Sequence, residues 1–298
     1  MTPARVKAYI LILIVTVIWG VASPVIKYTL GGFDPLTFLI YRFGISMIVS
    51  VIIFLIVGIK LPKNIGTLAL LVVYGLLASS ISLGLLFFGL KNTTVLDSTL
   101  ITLSDPLLIS IAGVYFLRER ITKREVLGIS IAIIGTILTI VEPLIQNGNG
   151  NLRLSGNLLI VGYAVVTAGT AVIAKLLLKK GVDPMTMTGL SFILGFISLL
   201  PFWLPTAHSS LFTVHSSYHL GVVYMALLSG SLAYYLANKA QKTIEIGEQA
   251  IFGYMYPIFA APLAVVWLGE KITPMFIIGA VIITLGVVIA EIKKKRYN

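Results

Sequence analysis

The most restrictive feature of this sequence is a series of long apolar runs that a water-soluble domain could not bury. Hydrophobic residues make up 58% of the 298-residue chain and charged residues 11%, whereas about a quarter of an ordinary soluble domain is charged. A helix of roughly 20 apolar residues crosses the hydrocarbon core of a bilayer. The runs lack the alternation of apolar and polar residues that membrane β-strands show. The sequence therefore predicts an all-α integral membrane protein.

Charged and turn-forming residues divide the apolar sequence into ten predicted transmembrane helices. They cover residues 8–30, 35–58, 67–90, 95–117, 125–142, 155–178, 184–204, 220–240, 247–268 and 274–292. A signal peptide is the alternative for residues 1–23, but the first apolar run extends beyond the length of a signal-peptide core. We expect this run to be retained as the first helix.

Basic residues are distributed unevenly between the two ends of these helices. Most of the 22 lysines and arginines fall at the termini and in one alternate set of connections, and the opposite ends hold only Lys27, Lys91, Arg153 and Lys271. Basic residues concentrate on the cytoplasmic side of membrane proteins. We therefore expect a multi-pass protein of the plasma (inner) membrane with both termini cytoplasmic. The same distribution explains the net charge of +11 without a nucleic-acid partner.

The chain also contains an internal repeat. DPLLISIAGVYFLRERIT, which begins at Asp105, returns 151 residues later as YPIFAAPLAVVWLGEKIT, and IKYTLGGFDP returns as AKLLLKKGVDP with one inserted residue. We place the first repeat at residues 1–142, an outer linker at 143–154 and the second repeat at 155–298. Because each repeat holds five predicted helices, the second must enter the membrane inverted. Inverted repeats are typical of secondary transporters with a midplane site, and an enlarged scaffold is the alternative.

Several motifs resemble those of the EamA-type branch of the drug/metabolite transporter superfamily, over essentially the whole chain. They are WGVASPVIK from Trp19, YRF around Arg42, and a proline followed by LRE or LGE in each half, at Pro106 with Glu119 and at Pro257 with Glu270. The resemblance implies ten helices, cytoplasmic termini and a central cavity lined mainly by helices 1, 3, 4, 6, 8 and 9.

This sequence departs from the family pattern in two places. Thr167 and Ala168 stand in the second half where the first half has Trp-Gly, so the cavity is expected to be asymmetric. Asp105, which precedes Pro106, is not part of the family pattern, and the equivalent residue in the second repeat is Tyr256. A proton site at Asp105 would therefore belong to one half only.

Aromatic and small polar residues at helical spacing are candidates for substrate binding. Rings with polar tips suit a small amphipathic solute such as an amino acid, and an interfacial aromatic belt is the alternative. The candidates are Trp19, Ser23, Tyr163, Thr167, Tyr234, Tyr235, Asn238, Phe252 and Tyr256. Because proline removes a backbone donor, Pro24, Pro106 and Pro257 are candidates for helix kinks or gating.

Two acidic residues, Asp97 and Asp105, lie eight positions apart on one face of the fourth predicted helix. A carboxylate near the middle of a bilayer costs about 2.5–3.5 kcal/mol on insertion scales and is normally paired or faces water. Arg42 is the expected partner of Asp105, and Lys175 is a poorer one. We expect Asp105, Arg42 and Asp97 to serve either proton coupling or a static ion pair, and the residues leave both alternatives open.

Together these features predict a secondary transporter that exports small amphipathic metabolites by alternating access, with proton coupling as a hypothesis. Amino acids, aromatic or other neutral ones among them, are the expected cargo. Uptake or facilitated exchange of a sugar, nucleoside or other metabolite is the alternative. An intramembrane enzyme and a channel are the alternatives from other classes. The enzyme is disfavoured because the sequence has no metalloprotease, phosphate-binding or serine-hydrolase motif, and a channel would show flux without saturation or counterflow.

The remaining expectations concern cofactors and partners. The chain has no cysteine, and its three histidines fit no standard zinc spacing, so we expect neither a cofactor nor a bound metal. We expect a small-molecule substrate, contact with membrane lipid and a monomer that is sufficient for function.

Overall fold

The computed structural model describes residues 2–117, 123–145, 150–206 and 214–291. Every regular element in these ranges is helical, and the elements form ten segments. They are α1 (Pro3–Thr29), α2 (Pro35–Val57), α3 (Ile65–Asn92), α4 (Val95–Thr102 and Asp105–Leu117), α5 (Lys123–Ile145), α6 (Gly150–Lys179), α7 (Pro184–Trp203), α8 (Ser216–Gln241), α9 (Ile246–Val266) and α10 (Pro274–Glu291). Within the described ranges nine of them are long and apolar enough to cross a membrane, and the apolar part of α10 is shorter.

Large apolar side chains cover the outside of this helical assembly. Leu55, Ile65 and Val266 are 79–85% exposed, and many others are more than half exposed. Such a surface is unfavourable in water, because burial of apolar area is the main driving force of folding. The exposed surface therefore fits contact with lipid, as expected for a membrane protein.

The dipeptide Asp-Pro begins the second helix of each half. Pro35 and Pro184 occupy the first turn of α2 and α7, where a missing N–H costs no helical hydrogen bond. The Asp34 carboxylate accepts two hydrogen bonds of 3.0 Å from the N–H groups of this turn. Asp183 accepts the equivalent pair at 2.9 and 3.3 Å. The repeated sequence therefore produces a repeated helix start.

The fourth helix of each half is interrupted at the repeated proline. α4 stops at Thr102 and restarts at Asp105. α9 changes to a short 3-10 turn and resumes as an α-helix at Tyr256. Pro106 and Pro257 are the second residues of the restarted segments. Proline lacks an N–H and its ring clashes with the carbonyl four residues earlier, so a regular helix cannot continue through these points.

This interruption corrects the predicted continuous helix around Asp105. Asp97 lies in the first segment of α4, and Asp105 begins the second, so the two carboxylates do not share one helical stripe. Pro24 behaves differently, because α1 runs without interruption from Pro3 to Thr29.

The third helix of each half contains a π-helical stretch. In α3 it covers Leu77–Ile81, and in α8 it covers Tyr224–Leu232. A shift of 151 positions places the first stretch inside the second. Widened turns of this kind occur frequently at functional sites.

The packing of the helices has the same pattern when the two halves are exchanged. Equivalent helices pack together as the pairs α2–α7 and α5–α10. α3 packs against α6 as α8 packs against α1, and α4 packs against α6 as α9 packs against α1. α1 and α6 are therefore the central helices of the assembly.

Small residues bring α5 and α10 into close contact. A Cβ atom at Gly286 would lie 2.5 Å from the Ala132 nitrogen and 2.6 Å from the Gly128 carbonyl oxygen. At Gly135 it would lie 2.7 Å from the Ile283 side chain. These glycines therefore permit the close contact of the two helices.

Candidate functional site

A cavity of about 210 Å³ lies at the centre of the assembly. α1, α3, α4, α6, α8 and α9 line it, which are the six helices that the family resemblance implied. α2 adds a single lining residue, Arg42. The cavity lies where α1 and α6 meet the interrupted helices and the π-helical stretches.

Seven of the nine residues expected to bind substrate line this cavity. They are Trp19, Ser23, Tyr163, Thr167, Tyr234, Asn238 and Tyr256. The Trp19 indole N–H donates a 3.0 Å hydrogen bond to the Ser229 carbonyl, and its ring meets the Tyr234 ring edge-on at 5.2 Å. The Asn238 amide donates to the Thr188 hydroxyl at 3.1 Å. These contacts fix the orientation of the wall.

Tyr235 and Phe252 do not belong to the cavity wall, which corrects their predicted position. Tyr235 is one residue from Tyr234 and hence about 100° around the helix, and its hydroxyl accepts a 3.0 Å hydrogen bond from Lys239. Phe252 stacks on Tyr9, with 6.0 Å between ring centroids. Helical spacing alone did not separate these two rings from the cavity-lining ones.

Asp105 lies in the cavity wall and has a buried oxygen without a partner. Among the described residues, no donor reaches its Oδ1 atom. The expected ion pair with Arg42 is not formed, and the guanidinium lies among three aromatic rings. Lys175 donates instead to the backbone carbonyls of Gln241 and Ile244, at 3.0 and 2.7 Å.

Asp97 lies away from the cavity, in an ion pair with Arg153, so of the two roles expected for it the structure shows the ion pair. The Arg153 guanidinium donates two 2.7 Å hydrogen bonds to the two carboxylate oxygens, and the Asn157 amide donates a third at 3.3 Å. Only 1% of the Asp97 side chain and 20% of the Arg153 side chain are exposed. We call Asp97, Arg153 and Asn157 the buried cluster.

An equivalent cluster lies at the start of α1 and α9. Arg5 pairs with Glu248 at 2.6 Å, and the Tyr9 hydroxyl donates to the same carboxylate at 3.4 Å. These side chains are more exposed, 40% for Arg5 and 33% for Glu248. We call Arg5, Tyr9 and Glu248 the exposed cluster.

The repeat relates the two clusters residue by residue. Arg5 and Tyr9 lie 148 positions before Arg153 and Asn157, and Asp97 lies 151 positions before Glu248. Each cluster joins the first helix of one half to the fourth helix of the other. The sequence analysis missed these clusters. Shifts of 148 positions for the first helices and 151 positions for the fourth helices relate each member of one cluster to its equivalent in the other.

Lysines at equivalent positions of α1 and α6 close the ends of the third helices. Lys27 donates to the carbonyls of Leu90 and Thr93 at 2.8 and 2.6 Å, at the end of α3. The Lys175 contacts described above do the same at the end of α8. Both cations therefore satisfy the free carbonyl groups that every helix end leaves.

Glu270, which belongs to the second half, caps the start of α4 in the first half. Its carboxylate accepts hydrogen bonds of 2.7 and 2.9 Å from the N–H groups of Val95 and Leu96. Burial raises the pKa of the Glu270 carboxyl, and these two donors oppose the shift. Its repeat counterpart Glu119 lies outside the described residues.

The cavity extends further toward one end of the assembly than toward the other. Gln241, Ile246 and Gln249, where α8 ends and α9 begins, line it. Their counterparts 151 positions earlier do not, and two of these, Leu90 and Val95, are 0% exposed. The cavity therefore reaches toward the exposed cluster and is closed toward the buried cluster.

Comparison with solved structures shows that the fold is known. One protein of known crystal structure matches 96% of this chain and 97% of its own length, with a TM-score of 0.68. The two sequences are 20% identical, so this likeness shows the fold alone.

Curated relatives match nearly the full length. An uncharacterized transporter, YyaM, of Bacillus subtilis (strain 168) is 30% identical, over 99% of this chain and 97% of its own. A "Probable amino-acid metabolite efflux pump" of Salmonella typhimurium is 28% identical, over 94% and 93%. Its namesake in Escherichia coli (strain K12) is 25% identical, over 95% and 94%. The model of the EamA-like transporter family matches residues 6–141 and 154–291, so this chain belongs to that family.

Proposed function

We propose that this protein is a secondary transporter that exports small amphipathic metabolites, amino acids foremost, by alternating access. The observation that carries the proposal is a central cavity between two equivalent ion-pair clusters, which reaches toward only one of them. Equivalent halves that exchange conformations open a midplane site to each side in turn. The names of the Salmonella and Escherichia relatives support amino acids as the cargo.

The proposed topology is two inverted five-helix repeats, residues 1–142 and 155–298, joined by the linker 143–154. The positive-inside rule favours cytoplasmic termini in the plasma membrane. The exposed cluster, which contains Arg5, then lies on the cytoplasmic side and the buried cluster on the outer side. This conformation is consequently closed outward, and its cavity extends toward the cytoplasm.

The two clusters are the proposed gates. The buried cluster joins α4 to α6 and closes the outer end. For the cavity to open outward, the ion pair between Arg153 and Asp97 must separate while the α1–α9 end closes further. The helix interruptions before Pro106 and Pro257 are the proposed hinges, because they leave irregular backbone on two sides of the cavity.

Asp105 is the proposed site of proton coupling. It lies in the cavity wall, its Oδ1 has no partner among the described residues, and the other half offers Tyr256 in its place. An acid that accepts a proton on one side and releases it on the other would couple export to the proton gradient. The proposed assembly is a monomer in contact with lipid, with neither a cofactor nor a nucleic-acid partner.

Efflux from liposomes tests this function. We would preload liposomes containing the purified protein with each of a panel of radiolabelled amino acids and measure efflux with and without an imposed pH gradient. The expected result is saturable efflux driven by the gradient, with gradient-driven flux lost in Asp105→Asn and counterflow exchange retained. Ser110→Ala, in the same segment of α4, is the control.

Other outcomes revise the proposal in defined ways. Flux that is independent of the gradient and unaffected by Asp105→Asn would make the protein a facilitator and Asp105 a structural residue. Flux without saturation or counterflow would indicate a channel. No flux of any amino acid would exclude amino acids as the cargo.

A further inference from the structure

The side chain of Arg42 is a buried cation in the cavity wall without a hydrogen-bond acceptor. It is 1% exposed, and no described residue accepts a hydrogen bond from its Nε, Nη1 or Nη2 atom. Its guanidinium carbon lies 5.4–6.0 Å from the ring centres of Phe43, Phe87 and Phe192. These rings stabilise a cation but satisfy none of its N–H donors.

An arrangement of this kind is costly for the protein. Moving a charge out of water is strongly unfavourable when no counter-ion or acceptor replaces the water. A cation–π contact returns only part of this cost. The arrangement therefore leaves Arg42 with unused capacity to bind an anion.

The repeat argues against a purely structural role for this arginine. The Asp-Pro helix starts align Arg42 of α2 with Ser191 of α7, which is also buried, at 2% exposure. α2 and α7 pack together as equivalent helices, so the same helix interface is built without a charge on the second side. The repeated architecture therefore does not require this cation. By contrast, the arginines of the two clusters and the lysines at the ends of the third helices occur in both halves.

The surroundings of Arg42 place it beside the π-helical stretch of α8 and the aromatic wall of the cavity. Its Nη2 atom would lie 3.3 Å from a Cβ at Gly230, in the π-helical stretch of α8. Phe192 meets the Tyr234 ring edge-on at 5.5 Å, and Tyr234 in turn lines the cavity. The guanidinium nitrogens are covered in this conformation, so binding of a solute to them would require α8 or these rings to shift.

We propose that Arg42 binds the carboxylate group of the transported solute. The cargo is then a small carboxylic acid, and within the proposed function an α-amino acid. A guanidinium offers two parallel N–H donors that match the two oxygens of a carboxylate. The phenylalanine rings provide an apolar surface next to the bound group. This inference rests on the proposed transport function and specifies the chemistry of its cargo.

Ligand-induced stabilisation of the purified protein in detergent tests the inference independently of transport. The probes are the twenty standard amino acids, their α-carboxamides, and the carboxylic acids that lack the amino group. A ligand that binds the folded state raises the midpoint of thermal unfolding, by an amount that grows with the logarithm of its concentration divided by its Kd. The carboxamides keep the shape of the amino acids and replace one carboxylate oxygen by an NH2 group, which removes the negative charge and one of the two acceptors that a guanidinium would bind.

For the wild type we expect at least one carboxylate to bind at least about tenfold more tightly than its carboxamide, because charge-assisted hydrogen bonds are the strong ones. Arg42→Met should reduce the affinity for the acid to that for the amide. Ser191→Ala, the equivalent position in the other half, should keep the wild-type preference. The empty Arg42→Met protein should unfold no earlier than the wild type, because it lacks the orphan charge.

Equal affinity for acid and amide, a preference that survives in Arg42→Met, or no stabilisation by any carboxylate would each overturn the inference. If Arg42→Met does not fold, Arg42→Gln is read in the same way, and failure of both variants to fold would make Arg42 structural. Arg42-dependent binding of an acid without flux in liposomes would support the inference and contradict the proposed export. Equal flux of amides and acids would support export and contradict the inference.

Discussion

The two halves of this protein are alike at the ends of the helices and unlike at the centre of the cavity. Each half has an Asp-Pro helix start, a lysine on the end of the third helix and an ion pair from an arginine to the fourth helix. At the centre, Arg42 faces Ser191 in the alignment, Asp105 faces Tyr256, and Trp19 faces Thr167.

This difference separates two requirements. An alternating-access cycle needs two ends that open and close by equivalent movements, and equivalent contacts provide them. A solute has only one orientation in its site, so the charged groups that meet it have no reason to be duplicated. The unduplicated charges Arg42 and Asp105 are therefore the candidates for cargo and coupling, and the duplicated charges are candidates for the frame and its gates.

The two clusters give the sharpest test, because the same contact is buried at one end and exposed at the other. Arg153→Met leaves the Asp97 carboxylate buried without its partner and should lower the free energy of unfolding by about 3 kcal/mol. Arg5→Met, the equivalent change, removes an exposed pair and should have little effect. SDS titration in mixed micelles measures both.

A second substitution serves as the control for this test. Asp97→Asn added to Arg153→Met removes one of the two buried carboxylates that Arg153 contacts, the other being that of Glu142 at 3.7 Å, and should recover part of the lost stability. Equal losses for Arg153→Met and Arg5→Met would show that burial does not distinguish the two ends.

The interface between the equivalent helices α5 and α10 allows a second comparison of the two halves. A methyl group at Gly286 would meet backbone atoms at 2.5 and 2.6 Å, so Gly286→Ala should cost about 2 kcal/mol through overpacking. Gly135→Ala meets the Cγ1 atom of Ile283 at 2.7 Å and a backbone atom only at 3.0 Å, so it should cost less. Gly84→Ala, with open space around it, is the control. Identical unfolding midpoints for the three variants would contradict this close contact.

The smallest expected effect concerns the shape of the cavity. Because the natural chain has no cysteine, single cysteines at Gln249 and at its counterpart Ser98 can be compared without background labelling. Gln249→Cys should react with a small water-soluble thiol reagent about tenfold faster than Ser98→Cys, a ratio equivalent to about 1.4 kcal/mol. Gln249 lines the cavity, whereas Ser98 is 1% exposed. Faster labelling of Ser98→Cys would reverse the assigned opening.

The sequence determined a large part of the fold. Continuous apolar runs leave a helix as the only element that satisfies its own backbone in lipid, so the helix positions follow from composition and turn residues. The repeat was visible because motifs such as Asp-Pro and the fourth-helix proline have local structural effects. Most of the cavity wall could also be predicted, because Trp19, Tyr234 and Asn238 belong to inward helix faces.

The tertiary structure alone decided how the charges are used. Helical spacing placed Asp97 and Asp105 on one stripe, but Pro106 interrupts the helix between them, and Asp97 pairs with Arg153 instead. Arg42 was the expected partner of Asp105, yet aromatic rings from three helices surround it. Contacts between residues far apart in the chain depend on how helices pack, which local sequence does not encode. The sequence by itself therefore determined which segments cross the membrane, and only packing decided which charges are paired and which lie in the cavity wall without a partner among the described residues.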